Sequence, residues 1–79
     1  MIIQALFFGA TADLVGARSV PIDASAEMTM AKLVDRLVSE HPALRRHKLL
    51  FSVNQEYVSG DVRLKDGDEI AIFTAVSGG

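Results

Sequence analysis

Cysteine is absent from this 79-residue chain. That excludes disulfides, thiolate metal ligands and a cysteine nucleophile. It also excludes carriage of sulfur as a cysteine persulfide. Long apolar runs are absent too, and none approaches the ~20 residues a spanning helix needs. The opening MIIQALFFGA carries no basic segment and no small-x-small exit, so it reads as a first strand rather than a signal peptide. A cytoplasmic protein with no membrane partner is expected. Neither sign of charge dominates: eight Lys and Arg face ten Asp and Glu, for a net charge of −2. No basic block gathers phosphates, so nucleic-acid binding is not indicated. What is present is apolar. Hydrophobic residues make up 49% of the chain, which is too many for a disordered segment and suits one small domain.

The patterning predicts α+β architecture. IIQALFF (2–8) alternates as a strand, with Ile3, Ala5 and Phe7 on one face and Ile2, Gln4, Leu6 and Phe8 on the other. ATADLV (10–15) reads as a short helical turn stopped by Gly16. ARSVPID (17–23) reads as a second strand, placed at an edge because Pro21 has no N–H to donate. Over 29–41, Met30, Leu33, Val34, Leu37 and Val38 recur at helical spacing, behind Thr29 as N-cap. Arg36 and Glu40 form an i,i+4 pair on its outer side. Pro42 ends this helix and opens a second short turn. LLFSVN (49–54) is a third strand, Asn54-Gln55-Glu56 a turn, and Tyr57-Val58 a short return strand. A loop over 59–68 follows, with Leu64 plugging the core and a tight turn at Asp66-Gly67. EIAIFTA (69–75) is the last strand. The order fits a ubiquitin-like β-grasp roll: a mixed sheet of about five strands with one main helix on one face. The two apolar strands, first and last, are expected side by side at its centre. Residues 1–75 are expected to form the domain, and 76–79 a flexible tail.

The ending Gly78-Gly79 stands out. A glycine pair at two given positions occurs by chance about once in two hundred. A frayed terminus explains it without function. However, glycine has no Cβ, so such an end threads a narrow channel and adopts almost any backbone angle beside a reacting carbonyl. Extended, residues 75–79 reach roughly 17 Å. A carboxylate delivered this way becomes reactive once activated, for example as an acyl-adenylate, and a thiocarboxylate made from it is a good sulfur nucleophile. Strand parity places Phe8 and Phe73 together on the face away from the helix, with Tyr57 joining from the return strand. Contiguous, the three make a partner surface; scattered, they are ordinary surface hydrophobes. Other candidates are weaker. His41 and His47, beside an arginine pair, read as solvated residues rather than a zinc site. Asp61, Asp66, Asp68 and Glu69 lack calcium-loop spacing and read as turn residues. Neither a phosphate-binding glycine loop nor a complete active site is found.

FFG near residue 8, the helix TMAKLVDRLVSEHP, the segment VNQEYV and the ending LKDGDEIAIFTAVSGG together resemble the molybdopterin synthase small subunits. These are the sulfur-carrier branch of the MoaD/ThiS group of ubiquitin-like proteins. The resemblance covers essentially the whole chain. It implies that an E1-like adenylyltransferase uses ATP to adenylate Gly79. A sulfur donor then converts the adenylate to a thiocarboxylate. It further implies that the large subunit of a heterotetrameric synthase accepts residues 75–79. Gly79 there donates sulfur to cyclic pyranopterin monophosphate, in molybdenum cofactor biosynthesis. The small subunit would bind no cofactor or metal and leave catalysis mostly to the large one. Carried over by position, Gly79 bears sulfur, while Gly78, Ser77, Val76 and Ala75 thread. Phe8, Tyr57 and Phe73 match the family's hydrophobic contacts. The chain departs from the family where prolines often follow the last phenylalanine: here stand Thr74 and Ala75.

Three alternatives remain open on sequence. A thiamine-pathway carrier shares the chemistry, although such carriers usually lack the FFG-ATADLVG segment. A protein modifier would form isopeptide bonds through Gly79, with Lys32, Lys48 and Lys65 as possible chain acceptors. A plain β-grasp interaction module would be indifferent to loss of Gly78-Gly79.

Overall fold

The computed structural model describes residues 1–74. The chain runs β1 (Ile2–Phe7), α1 (Ala10–Val15), β2 (Ser19–Asp23), α2 (Met30–Glu40), a 3-10 turn (Pro42–Arg46), β3 (Leu49–Val53), β4 (Glu56–Tyr57) and β5 (Glu69–Thr74). The five strands form one mixed sheet in the order β2-β1-β5-β3-β4. β1 and β5 are parallel neighbours at its centre, in register from Gln4 opposite Glu69 to Phe7 opposite Ile72. This is the β-grasp roll expected from the element order. β2 is an edge strand, where Pro21 leaves no ladder donor missing. Among the described residues, no helix is long and apolar enough to cross a membrane.

One face of the sheet carries the core. Ile3, Ala5, Phe7, Ile22, Ile70 and Ile72 are buried there against Met30, Leu33 and Leu37 of α2. Val34 and Val38 pack at its margin. Thr29 caps α2, its hydroxyl accepting from the Lys32 amide at 3.3 Å. Leu64 does plug this core and is 1% exposed. Its amide donates to the Met28 carbonyl at 2.9 Å, tying the 59–68 loop across the start of α2.

Several boundaries fall short of the sequence reading. β1 stops at Phe7 because Gly9, at φ 58° and ψ −130°, turns the chain in a region that only glycine enters readily. The β3–β4 turn has two central residues, not three. Asn54 (φ 48°) and Gln55 (φ 72°) both lie in the left-handed region, as a tight hairpin requires. The return strand is therefore Glu56–Tyr57 rather than Tyr57-Val58. β2 begins at Ser19, not Ala17.

The start of β5 is bound on both sides. Asn54 Nδ2 donates to Asp68 Oδ1 at 3.0 Å, and the Glu69 amide donates to Asn54 Oδ1 at 3.0 Å. Across the sheet, the Ile2 amide donates to Asp66 Oδ1 at 2.8 Å, and the Gly67 amide to the Ile2 carbonyl at 2.9 Å. Gly67, at φ 83°, makes that turn possible. β5 is thus inserted between β1 and β3 with fixed register, which sets where its far end points.

Candidate functional site

The sheet face away from α2 is open. Alternation along the strands and the observed registers place Gln4 and Leu6 of β1, Ala71 and Phe73 of β5, Leu50 and Ser52 of β3, and Tyr57 of β4 on it. Phe8 continues the β1 alternation onto the same face, and its amide donates to the Ile72 carbonyl at 3.2 Å.

Two of the three expected aromatics touch. The Tyr57 and Phe73 ring centroids lie 5.8 Å apart with planes inclined by 68°, an edge-to-face pair. Tyr57 stands opposite Ser52, and Ser52 opposite Ala71. These two small residues leave room for the Tyr57 ring to lean toward Phe73. Ser52 is only 8% exposed although it lies on the open face; a leaning Tyr57 accounts for the cover. Phe8 falls level with Phe73 on the neighbouring parallel strand when the β1–β5 register is continued by one residue. Phe8 is 52% exposed and Tyr57 74%. Large hydrophobes exposed to this extent on a flat sheet form the kind of surface that partners cover.

Two residues that shape this site, one on the surface and one beneath it, were not singled out in the sequence. Leu50 lies directly opposite Phe73 and widens the patch; alternation within LLFSV was the available signal. Thr11 is fully buried. Its Oγ1 accepts from the Phe8 amide at 3.0 Å, and lies 2.7 Å from the Phe8 carbonyl oxygen and 2.8 Å from that of Ile72, either of which takes its proton. This hydroxyl pins the Phe8 end of β1 to β5. Thr11→Val keeps the shape and removes the hydrogen bonds. A loss of about 1–2 kcal/mol in urea unfolding is expected, and an unchanged midpoint would refute the latch.

β5 ends, as described, at Thr74, at the same end of the sheet as Phe8. The expected tail residues Ala75, Val76, Ser77, Gly78 and Gly79 lie outside the described residues. Among the described residues, no group of three or more His, Cys, Asp or Glu side chains comes together as a metal site. A groove of about 580 Å³ beside Phe8 is lined by Leu6, Gly9, Ala12, Asp13, Arg18 and Ser19, and it is open to solvent.

Comparison with known proteins agrees with this geometry. The model of the ThiS family matches residues 5–79. The molybdopterin synthase sulfur carrier subunit of Homo sapiens is 37% identical, over 98% of this chain and 93% of its own length. The subunit of the same name from Escherichia coli strain K12 is 41% identical, over 98% of this chain and 99% of its own. Among solved structures, SAMP1 from Haloferax volcanii superposes with a TM-score of 0.85 at 29% identity, over 100% of both chains. With a family match that reaches from β1 to the final glycine, and a sheet of the expected β-grasp order, the chain belongs to the ThiS family.

Proposed function

We propose that this chain is the sulfur-carrier subunit of a molybdopterin synthase and acts through the carboxylate of Gly79. The observation that carries this reading is the full-length likeness to curated relatives of that name. An E1-like adenylyltransferase joins the Gly79 carboxylate to AMP, with pyrophosphate leaving from ATP. Sulfur delivered at the sulfide level (HS−) by a donor attacks the acyl carbon and displaces AMP, leaving a thiocarboxylate. The large subunit then seats residues 75–79; the thiocarboxylate sulfur bonds to a carbon of cyclic pyranopterin monophosphate in place of an oxygen, and water cleaves the acyl–sulfur bond, returning the Gly79 carboxylate.

The described residues support a docking role. Phe8, Leu50, Tyr57 and Phe73 gather on the open face at the end of the sheet from which the tail departs. Apolar anchors there hold the domain while the tail enters a site in the partner. Phe73 touches Tyr57 and stands between Phe8 and Leu50, so it is the central anchor. Phe73→Ala is expected to weaken large-subunit binding by at least about 1–2 kcal/mol in calorimetry. Affinity equal to wild type would remove Phe73 from the interface.

The reading itself is tested by reconstitution. Carrier loaded by the adenylyltransferase, ATP and a sulfur donor is mixed with the large subunit and pyranopterin. Formation of the dithiolene product supports the molybdopterin role; loading without product transfers the carrier to another acceptor, as in thiamine synthesis. A protein-modifier role is the second reading, favoured by the likeness to SAMP1. It expects isopeptide-linked species from the adenylyltransferase and ATP without a sulfur donor.

A further inference from the structure

The two ends of β5 differ in charge. At its start, Asp66 and Asp68 accept from the amides of Ile2 and Lys65 and from Asn54 Nδ2. Turn geometry accounts for those acids. Near its far end stands the run Arg45-Arg46-His47-Lys48, three of the chain's eight Lys and Arg residues within four positions. All four side chains are exposed. Among the described residues, ion pairs link the Met1 amine to Asp23 and Arg36 to Glu40, and none involves this run. No Asp or Glu occurs from residue 41 to 55. The nearby acid on α2, Glu40, already faces Arg36 at 3.3 Å. Arg45 and Arg46 suit the last turn of the 3-10 helix, where cations face free carbonyls, but no ion pair among the described residues accounts for the whole run.

The position of the run offers a reason for it. Leu49 pairs with Thr74, the last described residue of β5, and Leu50 pairs with Phe73. β3 is antiparallel to β5, so the residues just before Leu49 lie at the end of the sheet where the described part of β5 stops, at Thr74. Alternation continued back from Leu50 puts Lys48 on the open face beside Phe73. Lys48 therefore edges the apolar patch, and Arg45 and Arg46 precede it in the 3-10 turn that leads into β3. Apolar centre and charged rim is the common anatomy of a protein interface.

We propose that Arg45, Arg46 and Lys48 steer the tail-bearing end onto an acidic protein surface that surrounds the tail channel of the large subunit. The inference rests on the sulfur-carrier reading and adds the chemistry of the partner's surface. A protein is favoured over a nucleic acid because the chain as a whole is acidic, at net −2, and because the rim adjoins aromatic anchors. Charges at a rim act mainly on the rate of encounter and less on the lifetime of the complex.

The test is stopped-flow association of the full chain with the large subunit of its own organism, at about 20 mM and about 300 mM salt. The triple variant Arg45→Glu, Arg46→Glu, Lys48→Glu is expected to lower the association rate at least about tenfold at low salt. Its dissociation rate should stay within about twofold of wild type, and its salt dependence should flatten. The double variant Arg45→Lys, Arg46→Lys should behave as wild type. These residues lie outside the core, and far-UV circular dichroism checks the fold. Wild-type binding with an association rate unmoved by the triple variant overturns this inference and leaves the carrier reading standing. Absence of wild-type binding overturns both. Salt-sensitive binding of a single-stranded RNA oligonucleotide, lost in the triple variant while large-subunit association is unmoved, assigns the rim to nucleic acid and also overturns the proposal.

Discussion

Removal of Gly79 alone is expected to leave the fold intact and to cut sulfur transfer at least about 100-fold. The shortened chain still ends in a glycine carboxylate, that of Gly78, so the reacting group is chemically the same. Its reach is shorter by one extended residue, about 3.3–3.6 Å. A misplacement of even about 1 Å at a reacting centre costs on the order of 100-fold. Reach from an anchored domain, rather than the mere presence of a carboxylate, is what the variant isolates. Stability should not change, because Gly79 has no side chain to bury and the variant leaves Ile3, Phe7, Leu33, Ile70 and Ile72 of the core untouched. Steady-state dithiolene formation with the large subunit is the measurement. Activity within about twofold of wild type would mean that the tail is not positioned from the sheet. Loss of activity together with a lowered melting temperature would mean that the final residue supports the fold.

The second large effect separates two adjacent phenylalanines. Phe7 is 2% exposed and sits in the core beside Ile3, Leu33 and Ile72. Phe7→Ala removes most of that side chain and leaves a cavity, at a cost of about 3–5 kcal/mol. A domain of this length has about 4–12 kcal/mol in total, so much of the variant population should be unfolded at 37 °C. Phe8 points the other way and is half exposed. Phe8→Ala should change stability by no more than about 0.5 kcal/mol, yet weaken large-subunit binding by about 1–2 kcal/mol. Urea denaturation and calorimetry on the pair decide this. If both variants destabilise equally, the assignment of the two sheet faces is wrong.

That contrast was legible in the sequence because a strand has a period of two. IIQALFF and EIAIF each assign their residues to faces without reference to the rest of the chain. The α2 stripe and the Leu64 plug were readable for similar local reasons, and the resemblance of the whole chain supplied the family. Long-range partners were not readable. Thr11 belongs to a six-residue helix and looks like a surface residue there. Its role depends on the carbonyl of Ile72, 61 positions away. Asn54 was visible as a turn residue, but its grip on Asp68 and Glu69 exists only once β3 and β5 pair. Tyr57 could be placed near Phe73 only conditionally, since a two-residue strand carries almost no pattern of its own; the ring contact fixes it. The charged rim was masked for another reason. Acids and bases nearly balance over the whole chain, and only the pairing of Leu49 with Thr74 shows that the basic run leads into β3 at the end of the sheet where Thr74 stands.

Sulfur carriage at Gly79 remains the central claim, and intact mass spectrometry tests it most directly. The full chain is incubated with its E1-like adenylyltransferase, ATP and a sulfur donor, then weighed and fragmented. Replacement of one oxygen by sulfur, localised to Gly79 and absent when ATP is withheld, is the expected result. An unchanged mass, or sulfur located on any other residue, would contradict it.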